Sequence, residues 1–339
     1  MRRVRRLECP VVVAVATAKL ERGLTMKTSA KLIGALLITL GAAASAQAAS
    51  PACDRDCLYG LMHRYLDALV AHDPSTLPLA AGVRFTENTN ALKLGDGLWQ
   101  TINRLGPFTL YAADPRQGSV VYYGTAIENG QLALFAVRLK ARERRLSEIE
   151  TFVVRKASGV HGAFENLTQS DPVWAQPLAP AERVSRAAMI HAADQYFNGI
   201  EQGNGDIVPF DDDCIRIENG RQTAPSTASA TGALAGRPAM TARQQFNSKA
   251  FNYIKEVTQR RYLVIDEENG IVFGTFMFAH PGNVPTPDWA ATGLPPNPNA
   301  LSAYPNTTQI IEAFKVRSGR LYRIFAYVSL LPYRQSPGW

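Results

Sequence analysis

Leu58, Met62, Tyr65 and Leu69 stand 4, 3 and 4 residues apart, the spacing that places side chains on one face of an α-helix. Displaced by 131 residues, Met189, Ala193, Tyr196 and Ile200 repeat that face without a gap. The same offset lays Asp67 on Asn198, Pro78-Leu79 on Pro209-Phe210, and Glu87-Asn88 on Glu218-Asn219. A run of ungapped correspondences this long points to a duplicated unit.

Beyond each helix the apolar period becomes that of strands. Residues 108–125 and 262–277 read as hairpins whose turns, Asp114 to Gly118 and Asp266 to Gly270, lie 152 residues apart. A second pair of hairpins, 137–154 and 312–329, follows at an offset of 175. Each half is thus expected to hold a long helix, a short edge strand, short helices around 99–103 or 243–254, and a four-stranded antiparallel meander. Helices segregated to one face of such a sheet define an α+β fold: two tandem cone-shaped barrels, each a curved antiparallel sheet around its N-terminal helix. The expected divisions are a leader over 1–48, domains over 49–155 and 181–339, and a Gly-, Ser- and Pro-containing linker over 156–180. Two loops belong to the second half alone: 223–236, and 281–305 with seven prolines and Trp289. Loops of that length commonly bind or cover something.

The N-terminus alters the charge balance. From Met26, Lys27 and Lys31 precede an apolar run over Leu32 to Ala44 and a small-residue site at Ala46-Gln47-Ala48, the three parts of a secretory signal. The run is shorter than the ~20 residues of a membrane span. Met26 is therefore the expected start, and the expected product is periplasmic or secreted with no stable membrane anchor. Residues 1–48 contain 8 of the 36 Lys+Arg and 2 of the 29 Asp+Glu, so the remainder carries 28 against 27 and a net charge of +1. The formal +7 of the whole chain is mostly leader, which removes the main support for a nucleic-acid partner. Of the four cysteines, Cys53, Cys57 and Cys214 lie beyond the leader. An uninterrupted helix holds residues four apart too widely for a disulfide, but a bridge closes if Cys53 precedes the first turn. The expected pairing is Cys53 with Cys57, leaving Cys214 buried and free; the set lacks metal-ligand spacing.

Residues 64–88, RYLDALVAHDPSTLPLAAGVRFTEN, and 195–219, QYFNGIEQGNGDIVPFDDDCIRIEN, each lead to strand pairs ending RLSEIETFVV and RLYRIFAYVS. Together they resemble the NTF2-like superfamily in its SnoaL-like branch. The first half is also similar to secreted domains of unassigned function that open Cys-x-Arg-Asp, here Cys53-Asp54-Arg55-Asp56. The resemblance implies a conical barrel with a pocket between sheet and first helix. It also implies acid–base chemistry without a cofactor, as in ketosteroid isomerase, scytalone dehydratase, polyketide cyclases and lyases of lignin-derived compounds. Other members only bind ligands or proteins, and fold does not dictate function. The implied partner is a small apolar or aromatic molecule, and a homo-oligomer stays open.

Such chemistry needs a base, one or two donors and an apolar wall. Tyr65 and Tyr196 stand on the inner helix faces, either pointing their hydroxyls into pockets or packed in the core. Strand alternation puts Glu87 with Val83 and Phe85, and Glu218 with Cys214 and Arg216. Each glutamate is a candidate base at a pocket mouth, with Glu87 the first to mutate because it shares a face with Val83 and Phe85, or the end of a strand where Asn88 or Asn219 turns the chain. Arg216 beside Glu218 is a buried ion pair or anion contact, or a surface pair. His280, where a strand enters the proline-rich loop, is a candidate proton shuttle. Asn88, Asn219, Arg216, Phe85, Trp99 and Tyr122 complete the expected binding set, and no metal is expected. Asp266 reads as a turn residue. The chain has no serine elbow, no Walker loop, and no Gly-x-Gly-x-x-Gly between a strand and a helix, which leaves acyl transfer by a serine nucleophile, nucleotide hydrolysis and dinucleotide binding unsupported.

Overall fold

A computed structural model of the chain describes residues 53–158, 162–230, 234, 236–282 and 304–339. The leader and residues 283–303 of the proline-rich segment lie outside the described residues. The first apolar stripe forms α1 (Arg55–Val70), capped by the Asp54 carboxylate, which accepts from the Cys57 amide. Cys53 thus precedes the first turn, and it is bonded to Cys57 across a Cα–Cα distance of 5.2 Å. Cys214 is free and buried. The second stripe forms α2 (Arg186–Gln202), capped by Ser185 and ended by Gly203 at φ 59°, a left-handed turn that glycine adopts without a Cβ penalty. No helix among the described residues is long and apolar enough to cross a membrane.

The strands of the first lobe are β1 (Leu79–Glu87), β2 (Asn90–Ala91), β3 (Ile102–Asp114), β4 (Ser119–Glu128), β5 (Gln131–Arg142) and β6 (Arg145–Arg155). Those of the second are β7 (Phe210–Glu218), β8 (Arg221–Ala224), β9 (Glu256–Asp266), β10 (Ile271–His280), β11 (Asn306–Arg317) and β12 (Arg320–Leu331), with the short helix α3 (Ala242–Asn247) after β8. The two six-stranded sheets have the same order, β2-β1-β6-β5-β4-β3 and β8-β7-β12-β11-β10-β9. Each lobe is therefore the α+β unit expected from the repeat, a curved sheet around its N-terminal helix. One expectation is corrected: β1 and β7 are not edge strands. Each pairs in parallel with the last strand of its meander, and the edge falls to the short β2 or β8. Register shifts in β3 and β9 bend each sheet, as bulges do, so that it wraps its helix.

Ala49–Trp339 form one compact unit. Its apolar interior has three parts: a core inside each cone, under α1 and under α2, and a third where the outer faces of the two sheets meet. Tyr122 and Tyr123 show the alternation: Tyr122 points into the first cone, whereas Tyr123 packs edge-on against Phe273, Phe325 and Tyr327 of the other lobe.

Two reciprocal clamps bind the lobes. Arg55 at the start of α1 makes paired bonds of 2.7 Å to both carboxylate oxygens of Asp266. Asp266 also accepts from the amides of Ala113 at 3.1 Å and Asn269 at 3.0 Å. In the mirror arrangement, Arg186 at the start of α2 bonds Asp114, which accepts from the amides of Ile265 at 3.0 Å and Gln117 at 3.1 Å. Every partner in one clamp is the repeat equivalent of a partner in the other. This is the self-complementary contact of a two-fold dimer, built within one chain. Asp266 is more than a turn residue: it ends its strand and locks the opposite lobe.

Candidate functional site

The candidate residues of the first lobe are built into its packing. Tyr65 is fully buried, with its hydroxyl 3.3 Å from Thr151 Oγ1 and its ring edge-on to Trp99. Trp99, Phe85 and Tyr122 belong to the same core. Glu87 is buried as well, but its carboxylate accepts from the Leu98 amide at 2.8 Å and from Arg155 at 3.4 Å. It lies against Gly97, where a Cβ would come within 2.5 Å of a carboxylate oxygen. Burial raises its pKa against the pull of that amide and Arg155. Arg155 also bonds Glu128, whose pKa is lowered: burial opposes its charge, and Arg155 and Thr101 outweigh it. Glu87→Ala is expected to cost about 1–3 kcal/mol by stranding the Leu98 amide. Urea denaturation reads that loss.

Asn88 and Asn219 are corrected from substrate donors to backbone staples. Both adopt φ 46°, which asparagine tolerates. Asn88 bonds both the amide and the carbonyl of Val153, at 2.8 and 2.9 Å. Asn219 does the same to Val328, at 2.9 and 3.1 Å. With both ends of each amide engaged, they fix the parallel pairing of β1 on β6 and of β7 on β12.

In the second lobe the candidates do converge. Tyr196, Arg216, Glu218 and His280 line one cavity of about 90 Å³, with apolar walls that include Phe251, Phe278 and Ile310. The cavity also contains Glu312, which the sequence reading passed over. Alternation along β11 carries the signal, for Thr308, Ile310 and Glu312 share the inward row.

Glu312 is fully buried, its Oε2 has no hydrogen-bond partner, and Tyr196 lines the same cavity. Burial, then the neighbouring Glu218 carboxylate, push its pKa up to about 8. Arg216 Nη1 donates to the Tyr196 hydroxyl at 3.3 Å, so guanidinium and phenol stand together at the cavity that Glu312 lines. Arg216 is itself held by Thr223 at 2.9 Å, Gln245 of α3 at 3.0 Å and Glu218 at 3.2 Å. The pair is buried at one end and open at the other: the Arg216 side chain is 3% exposed and that of Glu218 37%.

Strand register measures the cavity. Glu312 pairs with Ala326, and Ala326 with Glu218, so the two carboxyl groups are two strand spacings apart, about 10 Å between backbones. His280 pairs with Asn306, six residues along β10 from Gly274, the partner of Glu312, or about 20 Å of strand. His280 therefore stands at the far end, beside the ring of Tyr253, and does not share a reacting atom with Glu312. Burial lowers its pKa to about 4 against a bond to the Tyr253 carbonyl, and its Nδ1 has no partner. It is a neutral acceptor at neutral pH.

The repeat shows how the lobes diverged. Tyr65 and Tyr196 correspond, as do Glu87 and Glu218, but Phe85 and Val137 stand where the second lobe has Arg216 and Glu312. Among the described residues no group of three or more His, Cys, Asp or Glu could hold a metal ion. Asp211, Asp212 and Asp213 are engaged by Arg317 and Arg320.

Residues 182–328, less than half of the chain and all in the second lobe, match a domain of unknown function, DUF8021. No curated protein matches the sequence. Among solved structures, the chain is similar to an NTF2-like protein of unknown function from Cytophaga hutchinsonii, at 7% identity and a TM-score of 0.25, over 30% of this chain and 92% of that one. It is also similar to a candidate polyketide cyclase from Silicibacter sp., at 12% identity and a TM-score of 0.28, over 43% and 92%. A candidate polyketide cyclase from Streptomyces antibioticus gives 12% and 0.26, over 41% and 91%.

Proposed function

We propose that the second lobe is the catalytic half of an exported, cofactor-independent lyase, dehydratase or isomerase that uses acid–base chemistry. One observation carries this reading: Glu312 is a buried carboxyl group, with a free oxygen, facing the Glu218–Arg216 ion pair across a cavity. Environments that separate two carboxyl groups in this way assign an acid and a base. Glu312, protonated at neutral pH, donates from Oε2 to a carbonyl or leaving oxygen. Glu218 removes a proton from carbon, and the released electron pair forms the new double bond. Isomerisation returns the proton to a different carbon; elimination passes the Glu312 proton to the departing hydroxyl as water. Tyr196 and Arg216, which line the same cavity, steady the developing charge.

The substrate class follows from size and polarity. About 90 Å³ is less than the roughly 150 Å³ cavity that encloses benzene, so the described walls admit one oxygen-bearing end of a substrate rather than a polycycle. The apolar walls favour a small apolar or aromatic, for instance lignin-derived, molecule presented end-on. Export rests on the signal-like run from Met26, which lies outside the described residues.

The test is a product-mass screen of small aromatic carbonyl and hydroxyl compounds, lignin-derived dimers and steroids, with Glu312→Gln and Glu218→Gln proteins alongside. Each variant is expected to lose about 10²–10⁴-fold in turnover while staying folded. The wild-type kcat/KM is expected to fall above about pH 8, as Glu312 loses its proton. Full turnover in both variants would sink the assignment. The second reading is a non-catalytic periplasmic ligand-binding or assembly module, and the apolar substitutions Phe85 and Val137 in the first lobe favour it for that half. A ligand bound by the second lobe and recovered unchanged would extend it to the whole chain.

A further inference from the structure

A second cleft, of about 410 Å³, lies where α1 and β3 of the first lobe meet the linker and the β9–β10 turn of the second. Its volume is within the ~300–1,000 Å³ of small-molecule sites. The linker forms one wall and is fixed at both ends. Ser170 Oγ accepts from the Thr109 amide at 2.9 Å, and the buried Lys315 donates to the carbonyls of Trp174 at 3.3 Å and Gln176 at 2.9 Å. Burying an ammonium group to hold two carbonyls is costly for a passive tether, and its effect is a preformed wall.

The charges at this cleft are matched. Arg55 is held by Asp266 at 2.7 Å and by Glu268 at 3.1 Å, and Asp171 faces Arg323 at 3.9 Å. An ionic ligand meets no unmatched charge of opposite sign. What remains is an aromatic surface edged with hydrogen-bonding groups. Tyr59 and His63 each pack edge-on to Tyr111 with ring centroids 5.8 Å apart. The Tyr59 hydroxyl accepts from Arg55 and keeps its proton to donate, and the Asn269 carboxamide stands at the turn. We propose that this cleft binds a neutral, ring-shaped polyol, chemically a saccharide of one or two units. Its apolar ring face would lie on Tyr111, and its hydroxyls would bond Tyr59, His63, Asn269 and the outer oxygens of Glu268 and Asp171. The site is separate from the second-lobe cavity.

Calorimetric titration of the full chain with N-acetylglucosamine, cellobiose, maltose and galactose tests this, with choline and guaiacol as cationic and phenolic probes. At least one saccharide is expected to saturate with a Kd of about 1 mM or tighter. His63→Ala and Glu268→Gln, both at exposed positions, should each weaken it about tenfold, and Glu312→Gln should bind it like the wild type. No saturation by any of the four sugars at concentrations on the order of 10 mM overturns the proposal. So does saccharide binding unchanged in both cleft variants, or binding of choline or guaiacol in place of the sugars.

Discussion

Asp266→Ala is expected to destabilise the protein by about 3–5 kcal/mol, the range for removing one partner of a buried ion pair. The Asp266 side chain is fully buried, and its loss strands the amides of Ala113 and Asn269 and removes the paired bonds of Arg55, which keeps Glu268. At about 2–4 °C per kcal/mol for a chain of this size, the melting temperature should fall by roughly 6–20 °C. Asp266→Asn keeps the shape and one acceptor oxygen, and should lose less. Asp114→Ala should behave like Asp266→Ala because its partners are the repeat equivalents. Burial opposes the charge of Asp266, yet Arg55 and the amides outweigh it and hold its pKa below the usual carboxylate range. A depressed pKa means that the clamp contributes fully above the ordinary carboxylate value and is lost as pH falls through the folded one. The gap between wild type and Asp266→Ala should therefore close in acid. A melting temperature within one degree of wild type, or a gap independent of pH, would show that the clamp carries no weight.

Glu312→Gln is expected to change the pH dependence of stability in the opposite sense. The folded pKa of Glu312 is raised to about 8, so its stabilising contribution is complete below its unfolded value of about 4.5 and is lost as pH rises to about 8. Each pH unit in that window costs up to about 1.4 kcal/mol. The amide cannot ionise, so the variant should lose less stability than wild type between about pH 5 and pH 8. His280 works the other way: its contribution is complete above about 6.5 and lost as pH falls towards about 4. Melting curves of wild type, Glu312→Gln and His280→Asn from pH 4 to pH 9 separate the two groups. If Glu312→Gln follows the wild-type curve across the whole range, Glu312 does not titrate as assigned, and its role as the acid fails with it.

Much of this architecture is written in local pattern. The helical stripes, the hairpins and the ungapped match from Tyr65 to Asn88 with Tyr196 to Asn219 follow from periods of 3.6 and 2, which depend on nearest neighbours along the chain. Parity also placed Tyr196, Arg216 and Glu218 on inward faces, where the structure has them. It favoured Glu87, which shares a row with Val83 and Phe85, over Glu218, although both end an inward row. What separates them is Arg216 and Glu312 in one cone against Phe85 and Val137 in the other, contributed by strands distant in sequence. The parallel pairing of β1 with β6 and of β7 with β12 was missed for the same reason: the strands that pair are the first and last of each lobe.

The sequence by itself therefore determined the duplication, the α+β class, and the face of each helix and strand that turns inward. Tertiary structure decided that, of two similar cones, it is the second that brings two carboxyl groups, Glu218 and Glu312, together with Arg216 at one cavity. It also decided that Glu87 and both asparagines serve the fold, and that Asp114 and Asp266 join the lobes as well as turn their hairpins. The physical reason is that a side chain's direction is set by its immediate backbone. Its pKa, its partners and its purpose are set by groups that chain folding brings beside it from elsewhere in the sequence, as Asp266 is brought to Arg55, 211 positions apart.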